Sequence, residues 1–366
     1  MKPEDLIRSL VSAQGSDLIL RVHGKPAIRV DGKVRFVSDE PVSPALAQEM
    51  FERVLDENQK AHFFRTGEAD AAFEIPGVGR FRVNVFRQKG RLGMVLRHVK
   101  SKIPSLGDLN LPMDQLTKLC RLRRGLVLVT GVAGSGKSST LAAMLDWVNH
   151  NDARHVVTLE DPVEFLFEDD KSTFNQREVG VDTLSFHSAL KHVVRQAPDV
   201  IMVGEMRDPD TVEAVIQAAE TGHLVLSTLH TVNAVQTVER IISFFPPHHH
   251  QLIRMQLSML LEGVISQRLI VKKDAGGRVP AVEIMLGSPT IREMLAEGRT
   301  RELTRAIEEG AEHYGTMTFN QSLSRLVKAG KITVEDALSA SDNADGLKLE
   351  LRGISKGVRA TASAQY

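Results

Sequence analysis

The sequence predicts an α/β protein: a small N-terminal α+β domain, then a P-loop domain built on a mostly parallel sheet, with a helical C-terminal part. Three observations carry that prediction. Apolar strands and helical patterns alternate from Leu126 to Thr228, as in βαβ units whose helices cover both faces of a sheet. Gly131 to Ser138 fits G-x-x-x-x-G-K-[ST], with a strand-like run before it and a helical pattern after. Before residue 100, short strands group around helices, and a stretch holding Pro104, Gly107 and Pro112 separates them from the rest.

The bulk numbers fit this layout. At 366 residues the chain has room for two domains. Its 42% apolar and 25% charged residues are ordinary for a soluble globular protein. With 46 basic and 46 acidic residues the formal charge is zero, which argues against nucleic acid as a partner. The single cysteine, Cys120, excludes an intrachain disulfide and a multi-cysteine zinc site, and suits a reducing cytoplasm. No apolar run approaches membrane-spanning length, so direct membrane insertion is not expected.

The domains are expected at 1–100 and 114–352, joined by a linker over 101–113 and followed by a frayed polar tail over 353–366. Leu6, Ile7, Leu10 and Val11 predict a helix over 3–14. Strands are expected over 17–22, 27–30 and 33–37, the last two joined through the hairpin signal Asp31-Gly32. Leu46, Met50, Val54 and Leu55 predict one helix over 44–64. Residues 79–87 alternate Phe81, Val83 and Val85 against Arg80, Arg82, Asn84 and Phe86, and 92–99 pairs with them across Gly90. The second domain is expected to run strand 126–130, helix 137–149, strand 155–159, helix 185–196, strand 200–203, helix 209–220 and strand 223–228. Beyond Phe244 the pattern predicts helices over 248–266, 289–297, 301–309, 316–329 and 333–340, with 241–245 and 284–286 as extra strands.

The glycine-rich turn carries the chemistry. Gly131, Gly134 and Gly136 let the backbone curl so that successive N–H groups point inward at phosphate oxygens. The next helix presents its positive end to the same anion, with Ser135 and Ser139 in the same cradle. Lys137 would reach the β- and γ-phosphates, and the Ser138 hydroxyl would ligate Mg²⁺. Hydrolysis also needs acids for the metal's water shell and the attacking water. Two strand ends offer them: Asp199 to Glu205, delivering Glu205, and Val156 to Glu160, delivering Glu160 and Asp161 before Pro162. His223 and His230 flank the following strand at odd separation, so one can sense nucleotide while the other meets a neighbouring subunit.

Taken together, these motifs resemble the secretion-type P-loop ATPases of type IV pilus and type II secretion systems, and most of all the type IV pilus retraction ATPases of the PilT/PilU family. The resemblance spans nearly the whole chain. It rests on Arg80-Phe-Arg-Val-Asn84, the P-loop, Thr158-Leu-Glu-Asp-Pro-Val-Glu-Phe165, Val203-Gly-Glu-Met-Arg-Asp208, Thr221 to Thr231, Phe244-Phe-Pro-Pro247 and Gln267-Arg-Leu269. It implies a PAS-like N-terminal domain, a RecA-like ATPase domain with C-terminal helices, and a homo-hexameric ring with ATP and Mg²⁺ at subunit junctions. It implies that Glu160 and Glu205 divide metal-water coordination and general-base duty. Glu160 is favoured for the attacking water and Glu205 for Mg²⁺, with the reverse left open. His230 would sense the γ-phosphate or the interface. Arg82 and Arg97 would bring positive charge to the nucleotide, some of it from the neighbouring subunit, with Arg195 and Arg207 as further candidates.

The resemblance also implies a cytoplasmic motor held at the inner membrane by a pilus platform protein, with a paralogous retraction ATPase as a further partner. Pilus retraction is expected over extension, because extension motors carry a four-cysteine zinc site and an additional N-terminal domain, whereas this sequence begins at the first retraction-type domain. Force is expected from rigid-body movement of the two domains about the linker. The sequence departs from the family at Val132-Ala133, usually Pro-Thr, and in the helix Pro289 to Gly298, which is only similar to the retraction motors' C-terminal helix.

Overall fold

The computed structural model describes residues 2–30, 32–99, 102–274 and 276–352. Asp31 of the predicted hairpin, Ser101 of the predicted linker and the tail 353–366 lie outside the described residues. The chain divides into two compact units, one running to Lys102 and including Glu164–Leu166, the other comprising Ile103–Val163 and the chain from Phe167 onward.

The first unit holds six antiparallel strands: β1 (Asp17–Arg21), β2 (Ala27–Val30), β3 (Lys33–Phe36), β4 (Glu68–Ile75), β5 (Gly79–Gln88) and β6 (Arg91–His98), in the order β3-β2-β1-β6-β5-β4. Strand alternation explains its core. Leu18, Leu20, Phe81, Val83, Val85, Met94 and Leu96 point to one face and pack under the helices Pro3–Ser12, Pro44–Val54 and Glu57–Thr66. The single helix expected over 44–64 is two. Leu55 is extended (φ −110°, ψ 135°), and Asp56 caps a fresh helix by accepting the Gln59 N–H at 2.8 Å. β4 was not expected: its alanines and acids are poor strand formers, and eight cross-strand pairs with β5 impose the conformation.

The second unit is built on seven strands: β7 (Gly125–Thr130), β8 (His155–Glu160), β9 (Thr173–Glu178), β10 (Val200–Val203), β11 (Leu224–Leu229), β12 (Leu261–Val271) and β13 (Arg278–Leu286). Their order is β13-β12-β7-β11-β10-β8-β9, parallel throughout except for the β12–β13 hairpin. Alternate residues of each central strand feed two separate cores. Leu126, Leu128, Val157, Leu159, Ile201 and Val203 pack with the helices Phe186–Val193, Pro209–Glu220 and Ala234–Ser243. Val127, Val129, Val156, Val200 and Met202 pack with Met113–Cys120 and Lys137–Asn151 on the other face. Leu106 and Leu111, from the stretch read as a linker, are buried in this second core.

Beyond Phe244 the expectation of mainly helices fails at one large feature. The helix predicted over 248–266 is a short 3₁₀ turn, a helix His250–Leu260 and then the strand β12. The β-branched run Val264-Ile265 and Ile270-Val271 favours a strand. Gly263 also fits there for want of a side chain, since a Cβ would meet Leu119 at 2.9 Å. Residues 284–286 are the end of a longer strand, β13, while 241–245 belong to the helix Ala234–Ser243 and its exit turn. β9 and the helices Met113–Cys120, Ala234–Ser243 and Ala344–Leu351 were not expected.

One buried acid sits in β13. Glu283 is 5% exposed, and burial pushes its carboxyl from the ordinary 4.5 up to about 7, against the opposing pull of the Ala234 N–H and Arg268. Its charged form therefore costs stability, a cost absent below about pH 4.5 that grows until about pH 7 and then levels. Glu283→Gln removes that titration. Relative to the natural protein, the variant should gain stability as pH rises from 5 to 8, by up to about 3 kcal/mol in denaturant unfolding. A difference constant with pH would contradict the assignment.

Candidate functional site

In a parallel sheet every strand ends at the same edge, and the ligand-bearing loops collect there. At this edge β7 delivers the glycine turn, β11 delivers His230, β10 delivers Glu205, and β8 ends at Glu160. With strands about 4.8 Å apart, the row from the glycine turn to Glu160 spans about 14 Å, with His230 and Glu205 between them.

The glycine turn is shaped for an anion. Gly131, Gly134 and Gly136 have φ of 146°, 74° and 94°, a region side chains resist. A Cβ at Gly131 would meet Ser135 Oγ at 2.4 Å and the Gln267 carbonyl at 2.6 Å. Lys137 is buried, and its Nζ donates to the carbonyls of Gly131 (2.8 Å) and Val132 (3.2 Å). Gly136 stands at the N-cap of Lys137–Asn151 with no side-chain cap, whereas Ser185, Asp208, Asn233 and Ser288 cap other helices of this unit. The first turn, Lys137, Ser138 and Ser139, thus offers N–H groups that no capping side chain claims. Ser135 Oγ is buried without a hydrogen-bond partner among the described residues. Val132 is 56% exposed, so the family departure at Val132-Ala133 has its valine at the surface.

The acids are held by their neighbours. Glu160 is buried, and its Oε1 accepts from Thr158 Oγ1 at 2.7 Å and from Gln176 Nε2 at 3.2 Å. Asp161 follows, joined to Pro162 by a cis peptide. Gly204 lets the β10 end approach β8: its N–H donates to Leu159 O at 2.8 Å, and a Cβ would meet that oxygen at 3.3 Å. Glu205 lies between two bases, with Oε1 2.5 Å from Arg207 Nη2 and Oε2 3.3 Å from His230 Nε2. Arg207 also reaches Asp161, at 3.9 Å. Its hydrogen bond with Glu205 raises the guanidinium's already high pKa further.

The structure thus brings Glu205, His230, Arg207 and Asp161 into one cluster beside the glycine turn, with Glu160 on the next strand. His223 is not part of it. It lies at the amino end of β11, with Nδ1 2.9 Å from Ala218 O. Arg195 sits in an exposed turn after Phe186–Val193. Sequence reasoning gave Thr158 no role beyond its place at the start of a motif, and it missed Gln176, which lies on the unexpected β9. In the first unit, Arg82 and Arg97 are direct cross-strand partners on the sheet face opposite the core. Arg97 Nε bonds the buried Asp17 at 2.8 Å, and Arg29 reaches the same carboxylate at 3.5 Å.

A curled backbone, an uncapped helix start and a lysine answer to a polyphosphate, and the neighbouring acids answer to its hydrolysis. By fold and site the protein is a P-loop ATPase on a largely parallel sheet. More narrowly, the chain belongs to the type II/IV secretion system protein family, which residues 35–346 match. It is 41% identical over 352 residues to "Type IV pilus ATPase PilU" of Pseudomonas aeruginosa, covering 96% of this chain and 92% of that one. It is 44% identical over 322 residues to "Type IV pilus retractation ATPase PilT" of the same organism, covering 88% and 93%. A crystal structure of the pilus retraction motor PilT with bound ADP superposes with a TM-score of 0.88 at 41% identity, covering 95% of this chain and 99% of that one.

Gly131→Ala places a methyl group against Ser135 and the Gln267 carbonyl in a backbone region closed to alanine. It should weaken fluorescent-nucleotide binding at least about tenfold, since the loop's N–H groups act together. Unchanged affinity would show that the curl does not make the cradle.

Proposed function

We propose that this chain is a hexameric, ATP-hydrolysing motor that powers type IV pilus retraction, dismantling the pilus and driving twitching motility. The observation that carries the reading is similarity along almost the full chain to retraction ATPases, together with Lys137, Ser138, Glu160 and Glu205 all present at one sheet edge.

In this reading the turn from Gly131 to Gly136 binds the phosphates of ATP through backbone N–H groups, with Ser135 and Ser139 beside them. Lys137 exchanges its carbonyl partners for phosphate oxygens. Ser138 and Glu205 hold Mg²⁺, partly through water. Their donor set suits that ion, which is bound by one or two carboxylates plus phosphates and keeps several waters. Bound Mg²⁺ neutralises charge that develops on the phosphoryl oxygens. Glu205 stands nearer the P-loop in strand order, which supports giving it the metal. Glu160 stands one strand farther out, which supports giving it the attacking water. His230, already against Glu205, reports the γ-phosphate. Arg82 and Arg97 lend positive charge to nucleotide in the assembled ring. The motor docks from the cytoplasmic side on an inner-membrane platform protein.

A second reading makes the chain an accessory paralogue of the main motor. The match to PilU, which reaches 96% of the chain against 88% for PilT, favours it.

Two experiments test this. Glu160→Gln should lower kcat about 10²-fold or more while Mg-ATP still binds, and Glu205→Gln should instead raise the Mg²⁺ concentration needed for half-maximal turnover. The reverse pattern would exchange the two roles. In cells, deleting the gene should give surplus surface pili without twitching, cured by the intact gene and not by Lys137→Ala. Bald cells would contradict retraction, and unchanged pili and motility would favour the accessory reading.

A further inference from the structure

We propose that Glu283 is a positioning residue for His230, acting with Arg268 as a clamp on the segment that leaves β11. The inference rests on the reading of His230 as a nucleotide-sensing group, and it adds Glu283, which no motif marks, and Arg268 from the β12–β13 hairpin.

The geometry is a matter of strand order. Leu229, Thr130 and Ser266 are successive register partners across β11, β7 and β12, and Ser266 pairs with Glu283 on β13. The chain leaves the sheet after Leu229 and re-enters regular structure at Ala234, whose N–H donates to Glu283 Oε1 at 2.8 Å. Residues 230–233 therefore pass the end of β7, where the glycine turn begins, on their way to the hairpin. Three interstrand steps, about 14 Å, separate the Leu229 and Glu283 backbones, and the Glu283 side chain covers part of that span to reach the Ala234 N–H. Val232 and Ala234, which follow His230 closely, are both held by side chains of the hairpin, and this restricts the path of the segment that carries His230.

The clamp has two jaws. Glu283 takes the Ala234 N–H at the start of the helix Ala234–Ser243, where a carboxylate also suits the helix dipole. Arg268, from β12, reaches the Val232 carbonyl at 3.5 Å. The arginine is itself fixed by the Ala340 carbonyl and Asp342, both at 2.6 Å, and by the Phe319 ring 4.0 Å below it. Between the jaws and the site, Thr130 Oγ1 and Ser266 Oγ are 2.8 Å apart. Among the described residues, the charged groups facing Glu283 are Arg268 and Asp342. Burying an acid here costs stability that an apolar residue would not, and a position kept at such a cost is expected to serve the site.

The test is a double-mutant cycle on purified hexamer, reading ATP turnover and amide exchange over residues 229–238. Glu283→Ala should lower kcat at least about tenfold with KM moved less than about threefold, since the loss acts on a group used in turnover. Glu283→Gln keeps an acceptor oxygen and should restore kcat to within about threefold. In a His230→Ala background, Glu283→Ala should change kcat less than about twofold, because the residue acts through His230. Equal losses in both backgrounds, or a loss confined to KM, would overturn the proposal. Amide exchange over 229–238 should rise in Glu283→Ala while the helix Lys137–Asn151 stays protected, and no rise would also overturn it. A natural protein without turnover would sink the ATPase reading instead, and the exchange data would still judge the clamp.

Discussion

Everything at the site depends on the parallel pairing of β7 with β11 on one side and β12 on the other. Parallel register forces strand ends to one edge, so residues far apart in sequence become neighbours without any contact designed between them. Gly131 follows β7, His230 follows β11, and Glu205 follows β10 within two residues. The Gly131 N–H to Leu229 carbonyl contact at 3.4 Å continues this ladder into the glycine turn itself. Two full apolar cores, one on each face, hold the sheet in this arrangement.

The same edge also explains why the acids differ. Glu205 is balanced by Arg207 and His230, a pair of bases from its own turn and from the next strand. Glu160 Oε1 accepts from two neutral donors, Thr158 and Gln176. A hydrogen bond from a charged donor holds a carboxylate more strongly than one from a neutral donor. Two carboxylates on adjacent strands thus have different hydrogen-bond partners.

How much of this was legible in the sequence follows from which signals are local. The P-loop, the helix Pro209–Glu220 and the strand Val200–Val203 are spelled by residues within a few positions of one another, and the pattern found them at or near their bounds. The first part of β12, 261–266, is expected as helix because its apolar spacing suits either period over a short run, and its pairing with β7 decides the matter. β4 and β9 were invisible for the same reason, since partners elsewhere in the chain impose them. Gln176 therefore escaped notice, and so did Glu283, whose role depends on strand order and not on any motif. The lysine, serine and acids could be named in advance, but the side chains that hold them could not.

The central claim is that this sheet edge turns over ATP, and steady-state phosphate release from the purified protein tests it most directly. The account predicts Mg²⁺-dependent turnover that Lys137→Ala lowers at least about a hundredfold, since the lysine meets phosphate charge that grows in the transition state. Natural protein that binds nucleotide and releases no phosphate would contradict it, and would make the chain a nucleotide-binding subunit without a catalytic cycle of its own.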